Sequence, residues 1–313
     1  MANTLLTPDV LATAALANLY EQLVMVPLVY TDVSSDFTRA KVGETVNIRK
    51  PATFTAQTFV RADGITIQNA TETSVPVVLN TIKDVSFAIT AEDLTLHLND
   101  FTEQLLRPAM EALAQSIDRA IIAQAKADFT AIAGDEYFPG TTTGAHDNWQ
   151  HPEVLIEAGR LLDISNVPDS ERAAVVGPTT KAKWLNADIL KHADKSGSTM
   201  ALRKGSIGEN LFSFDAYMTQ NIVQPAGSPS TGQPTTEVGL AFHRTALALA
   251  SAPLAAPSDG SWHSVQSYKG LSLRLVKKYD INKKQDVCSV DILFGTKTLD
   301  ANRGVLLKGD NAS

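Results

Sequence analysis

The chain has one cysteine in 313 residues, Cys288, so no disulfide can form within it, and a reducing, cytoplasmic place of synthesis is expected. Positive charge is also scarce. There are 27 Lys/Arg against 34 Asp/Glu, net −7, which excludes a general grip on nucleic acid but leaves room for a local basic patch. No uninterrupted apolar run reaches the roughly 18–20 residues of a membrane span. The nearest, VGLAFHRTALALA, is broken by His243 and Arg244. MANTLLTPDVLATAALANLY has no basic stretch ahead of an apolar one and carries Asp9, so a signal peptide is not expected. No fixed-period repeat is present. What remains is a globular composition, 44% hydrophobic and 19% charged, long enough for one large or two ordinary domains.

The motifs of chemistry are missing too. His97, His146, His151, His192, His243 and His263 never stand at i, i+4, and no second cysteine can join them, so no metal site is assigned. His192 and Asp194 are the nearest pair, in a polar loop. Neither a G-x-S-x-G elbow nor H-E-x-x-H occurs. Glu92-Asp93 follows Thr90 in the pattern of a helix start. Asp118, Arg119 and Asp128 read as the solvated or packing-edge face of a long helix. Cys288 alternates with core residues, as an inert buried thiol does. RKGSIGENLF, with Gly205 and Gly208, invites a phosphate-loop reading. A Walker loop needs Lys directly after its second glycine, and here Lys204 precedes Gly205. The Rossmann spacing is absent as well. The glycines then permit a tight turn before a strand. No catalytic residue and no cofactor is assigned.

The order of elements is more informative. Thr7-Pro8-Asp9 opens a helix carrying Val10, Leu11, Ala14, Ala15, Leu19 and Leu23, which ends before Pro27. ETVNIRK alternates as a strand, and the threonine-rich stretch after it turns at Asp63-Gly64. This is a long ribbon that cannot bury itself and needs a partner surface. VPVVLNTIKDVSFAIT reads as a better-packed strand pair. A helix over about 99–130 carries Leu105, Leu106, Met110, Leu113, Ile117, Ile121 and Ile122, with Pro108 kinking it or dividing off a lead-in. HPEVLIEAGRLLDIS and PTTKAKWLNADIL are short helices, RAAVVG a buried strand, and FSFDAYMTQNIV one or two strands. VQPAGSPSTGQPTT is a surface loop, and EVGLAFHRTALALA a strand followed by a turn or helix. Leu271, Leu273 and Leu275, then Cys288, Val290, Ile292 and Phe294, alternate along a final hairpin whose tip is KKYDINKKQD. From Lys269 to Lys308 there are 9 Lys/Arg and 4 Asp, locally +5. The lysines 277, 278, 283 and 284 suit either an edge hairpin kept soluble by charge or a charged contact with a neighbouring subunit or acidic partner.

In this order the pieces resemble the major capsid proteins of tailed bacteriophages, which share the Hong Kong 97-type fold, nearest to the coat proteins of short-tailed and actinobacterial phages. LLRPAMEALAQSIDRAIIAQ resembles the family's spine helix, including its common Asp at Asp118. AAVVGPTTKAKWLN resembles the opening of the A-domain, ALRKGSIGENLFSFDAYMTQNI its later G-x-I-G phrase, and GLAFHRTALALA the return to the P-domain. One departure is Ser213-Phe214 where the family has Gly-Phe. The resemblance implies an α+β fold with an N-terminal arm (1–40), an E-loop (41–81), a P-domain (82–150 and 251–313, with the spine helix and a hairpin at about 269–295) and an A-domain (151–250).

It also implies a structural subunit that self-assembles, through hexamers and pentamers, into an icosahedral head around double-stranded DNA enclosed without sequence-specific binding. Its partners would be itself, a scaffolding protein, a portal and, in some heads, a decoration protein, in a virion made in the host bacterial cytoplasm with no membrane contact. Arg61, Asp63 and Glu72 near the ribbon tip, and Lys277, Lys278, Lys283 and Lys284, are the candidate inter-subunit contacts; Gly205 and Gly208 form the candidate A-domain turn. Three other readings stay open: an encapsulin-type cargo shell, a cytoplasmic α+β enzyme with a site of scattered residues, and a DNA-binding module.

Overall fold

The computed structural model describes residues 12–17, 19, 23–31, 45–50, 56–59, 61, 67, 73–90, 105–134, 148–187, 190, 211–225, 227, 229–258 and 260–312. Its axis is α1 (Arg107–Asp128), 22 residues and so about 33 Å long. Pro108 lies in the first turn, where a missing N–H does no harm, and a π-type turn at Leu105-Leu106 precedes it, so the proline marks the start of the rod and does not bend it. Ala109, Met110, Leu113, Ala114, Ile117, Ile121, Ile122 and Ala125 recur at helical spacing and are all buried. Lys126 in the last turn meets the negative end of the helix dipole.

That stripe packs on the first of two five-stranded sheets. β3 (Thr81–Thr90), β11 (Gln285–Thr298), β10 (Leu271–Asp280) and β9 (Trp262–Tyr268) run antiparallel in this order, and β8 (Leu247–Ala252) pairs with the far end of β11. The alternating residues Leu271, Leu273, Leu275, Val290, Ile292 and Phe294 form its core face, in one cluster with the α1 stripe. β3 flanks β11 along the hairpin, whereas β9 covers β10 only as far as the Trp262–Lys277 pair, so Lys278 lies on an open stretch of strand edge, where a charge that blocks pairing has a use.

The second sheet has the order β4 (Ala131–Ala133), β12 (Gly304–Leu307), β7 (Gly239–His243), β5 (Arg172–Val176), β6 (Asp215–Met218). β5 and β7 are buried throughout, as their unbroken apolar runs require. Val154, Leu155, Ala158 and Leu162 of α2 (Val154–Ile164), with Trp184 of α3 (Pro178–Asn186), complete a separate core. Trp184 donates its indole N–H to the Trp149 carbonyl at 2.9 Å. EVGLAFHRTALALA connects the sheets. β7 ends at His243, a 3₁₀ turn spans Arg244–Ala246, and β8 continues in the first sheet.

The described residues depart from the sequence reading at three places. VPVVLNTIKDVSFAIT is not a strand pair. β2 (Thr73–Val78) pairs with β1 (Thr45–Lys50) in the ribbon, β3 pairs with β11, and Leu79-Asn80 lies between the two directions. The segments 131–133 and 304–307, assigned by sequence to the same part as the long helix, are strands of the second sheet, because β12 inserts between β4 and β7. Third, the N-terminal arm, expected with the ribbon to reach across neighbouring subunits, packs inside its own subunit where it is described. Ala12, Ala15, Leu16, Leu19, Leu23, Met25, Val26 and Val29 share the core of α1, and Tyr30 exchanges backbone hydrogen bonds with Leu247 and Leu249, both 3.0 Å. The helical spacing that predicts a helix there also supplies the apolar face that docks it.

Candidate subunit interface

The ribbon is rooted but not covered. Val77 and Leu79 are fully buried against Ala248, Ala250, Ala252 and Leu293, with Ile48 packed beside them. Gly295 of β11 lies under the Val78 carbonyl, so close that a Cβ there would collide with it. Further out, Phe59 is 63% and Ile67 84% exposed, and Arg61 sits in an exposed turn. Asp63 and Glu72 lie outside the described residues.

The second exposed surface is the tip of the β10–β11 hairpin. Lys277 pairs with Asp286 across the strands at 2.9 Å, while Lys283 and Lys284 are exposed in the turn and Lys278 in the strand leading to it. The four lysines are brought to one end of the sheet, as their sequence spacing implied. They accompany Tyr279 and Ile281, 52% and 78% exposed, which the charge pattern alone did not single out. Cys288 is buried, and desolvation pushes its thiol up to about 11.

Gly205 and Gly208 lie outside the described residues, but the turn that follows them is clear. Leu211 and Phe214 exchange backbone hydrogen bonds at 2.7 and 3.0 Å, with Phe212 at φ 51° and Ser213 at φ 69° between them. Two left-handed residues in a two-residue turn match the hairpin twist and usually call for Asn-Gly. Ser213 thus holds a left-handed conformation at the position where the resemblance expects glycine. The turn delivers Phe214, fully buried, into the second core, under the guanidinium of Arg172 at 5.9 Å.

Two buried carboxylates that sequence reasoning passed over lock the layers together. Asp118 of α1, expected on a solvated or packing-edge face, is 1% exposed and accepts from Val24 N–H at 3.1 Å and Met25 N–H at 3.2 Å. Burial pushes its carboxyl up to about 6 against the lowering effect of those two bonds. Glu237, also buried, accepts from Thr179 N–H (3.0 Å), Thr180 N–H (2.8 Å) and the Thr180 hydroxyl (2.9 Å), so it caps the N-terminus of α3 from across the sheet. Gly177, just before α3, leaves the space the Glu237 carboxylate occupies. An acidic residue directly before the buried strand GLAFH was the only sequence signal for it.

Among the described residues, no group of three or more His, Cys, Asp or Glu is placed to hold a metal ion. No described helix is long and apolar enough to cross a membrane.

No family model and no curated protein sequence matches the chain. Solved structures do. A structure from Mycobacterium phage Che8 is 20% identical, with a TM-score of 0.65 over 91% of this chain and 90% of that one. The capsid structure of the cyanophage P-SCSP1u is 15% identical, with a TM-score of 0.59 over 87% and 85%. The virus-like particle from Pyrococcus furiosus is 13% identical, with a TM-score of 0.50 over 95% and 97%. Over about nine-tenths of its length, the chain has the Hong Kong 97-type fold of phage capsid structures.

Proposed function

We propose that the chain is a major capsid protein, the structural subunit of a tailed-phage head that encloses double-stranded DNA. The observation that carries this is the end-to-end match to phage capsid structures, about nine-tenths of each chain in the pair with the Mycobacterium phage Che8 structure. The physical features agree with it. A ribbon rooted at Val77 and Leu79 but with Phe59 and Ile67 in water gains further stability against a second copy, and burying each such side chain is worth roughly 1.5–3 kcal/mol. Charged contacts at Arg61, Asp63, Glu72 or the hairpin lysines add at most about 1 kcal/mol each, so they set register more than strength. Many repeated contacts of this size close a shell without any single tight one.

In this reading the first sheet with α1 is the P-domain, the second sheet the A-domain, and the ribbon the E-loop. Subunits associate as hexamers and pentamers around DNA held without sequence-specific contacts. A scaffolding protein and a portal act during assembly, and a decoration protein is a further candidate partner. The product is a virion component made in the host bacterial cytoplasm, and its work is assembly, not catalysis.

A cargo shell of the encapsulin type is the second reading, favoured by the near-complete mutual coverage with the Pyrococcus furiosus virus-like particle. Expression of the gene alone and with its genomic neighbours, followed by electron microscopy and analysis of particle contents, separates the two. A head reading requires heads that depend on scaffold and portal genes and fill with DNA. Particles that close unaided around a co-expressed protein support the cargo shell.

A further inference from the structure

His243 and Arg244 break the most apolar run of the sequence, and the fold carries them to one end of the second sheet. Three neighbouring strands have basic residues at that end. Arg172 of β5 is the register partner of His243 on β7, and Arg303 directly precedes β12, whose first residue, Gly304, pairs with Phe242. Arg244 lies in the 3₁₀ turn that follows β7. Arg172 is fully engaged. It donates to the Pro168 and Val167 carbonyls at 2.8 and 2.6 Å and to Asp163 at 2.6 Å.

The other three have donors left over. His243 is 4% exposed, and its Nδ1 accepts from the Thr245 N–H at 3.2 Å. Nδ1 therefore carries a lone pair and the proton sits on Nε2, and among the described residues no acceptor meets that N–H. Burial holds His243 below its ordinary pKa, and the charges of Arg303 and Arg172 add to this against Glu171, so the ring is a neutral donor among cations. Arg244 reaches Glu171 only at 3.4 Å through Nη1, and its Nε is buried with no acceptor. Arg303 donates to the Thr245 hydroxyl at 2.7 Å, but its Nε stands 3.5 Å from Asp300. Both carboxylates lie beyond the roughly 2.7–2.9 Å of a charge-assisted hydrogen bond. Buried donors without acceptors call for an occupant. The two carboxylates at the rim do not fill them, whereas a tetrahedral oxyanion with two charges serves several donors at once. We propose that His243, Arg244 and Arg303 form a phosphate-binding site, with His243 Nε2 and the two guanidiniums donating to the phosphate oxygens in place of Glu171 and Asp300. The phosphate is either free or part of a nucleic-acid backbone, whose contacts carry no sequence information.

Thermal melting of the full chain in rising inorganic phosphate, with chloride holding the ionic strength constant, tests the site. The parent protein should be stabilised progressively. Arg244→Gln alters a side chain that is 39% exposed, so circular dichroism should match the parent, and phosphate binding should weaken about tenfold or more. His243→Phe, read against its own melt in chloride, should weaken it as well. Lys183→Gln, the same loss of charge placed on α3, should bind as the parent does. No stabilisation beyond that of chloride, or equal stabilisation of the parent and both site variants, would overturn the proposal. Fluorescence anisotropy with a short DNA duplex then identifies the source. Duplex binding that Arg244→Gln weakens assigns the site to a nucleic-acid backbone. Phosphate binding without Arg244-dependent duplex binding assigns it to free phosphate, and either result upholds the site. Phosphate is read in whatever oligomer forms, so the site can stand where the shell reading fails.

Discussion

Asp118 and Met25 lie 93 positions apart and meet through a 3.2 Å hydrogen bond from the Met25 N–H to Oδ1, while Oδ2 takes the Val24 N–H. One buried carboxylate thereby fixes the N-terminal segment against the long helix. Glu111, Gln115 and Asn221 line the cavity of about 400 Å³ beside it.

This carboxylate makes stability depend on pH in a defined direction. Its folded value of about 6 lies above the ordinary 3.8, because desolvation outweighs the two amide bonds. A raised acid binds its proton more tightly when folded. Its contribution to stability is therefore full below 3.8 and is lost as pH rises through 6. Between pH 5 and pH 7.5 this one group should change the unfolding free energy by about 1 kcal/mol, with the protein more stable at pH 5. In Asp118→Asn that component disappears, so the stability difference between parent and variant should shift in the parent's favour on acidification. Denaturant melts at the two pH values measure it. A difference that does not change with pH would contradict the assignment.

Glu237 should be worth more than a surface carboxylate. Glu237→Ala leaves the part-buried Thr179 amide, the buried Thr180 amide and the Thr180 hydroxyl without their acceptor. The expected loss is about 2–3 kcal/mol, read by denaturant unfolding. Gly177→Ala, which drives a methyl group into the same carboxylate, should cost a similar amount and should add little to Glu237→Ala when the two are combined.

Gly295 controls the root of the ribbon. A methyl group at this position collides with the Val78 carbonyl, on a central strand that cannot move aside. Gly295→Ala should destabilise by about 1–3 kcal/mol. Hydrogen exchange should accelerate first along Thr73–Val78, before the strands of the first sheet. Uniform acceleration would locate the strain elsewhere.

Ser213→Gly should stabilise. Ser213 sits at φ 69° in a turn whose neighbour Phe212 is also left-handed. Glycine removes the steric cost of about 1–2 kcal/mol and loses some of it to the freer unfolded chain, for a net gain of about 0.5–1 kcal/mol. Ser213→Val at the same site should lose stability, and the pair of melts is the check.

Local pattern carried much of this fold in the sequence. Leu271, Leu273 and Leu275 alternate and lie on one buried face, and Pro178 opens its helix. The stripe from Met110 to Ile122 is the stripe that packs. The illegible part is non-local. Asp118 reads as a surface charge until Val24 and Met25 are brought to it. The residues of β12 fall by sequence order within the expected P-domain span until β4 and β7 offer them a slot. The interface was legible as charge and not as shape. The four hairpin lysines stand out in the sequence, whereas Tyr279 and Ile281, placed by sequence in the same hydrophilic tip, stand out only by their exposure.

Direct imaging of the purified protein by cryo-electron microscopy shows most simply whether this chain builds a closed shell. Hollow particles of uniform size are expected, or capsomer rings that close when a scaffolding protein is supplied, with ribbons lying across neighbouring subunits. A small discrete oligomer that stays small with every candidate scaffold, its ribbon bare in solvent, would contradict it.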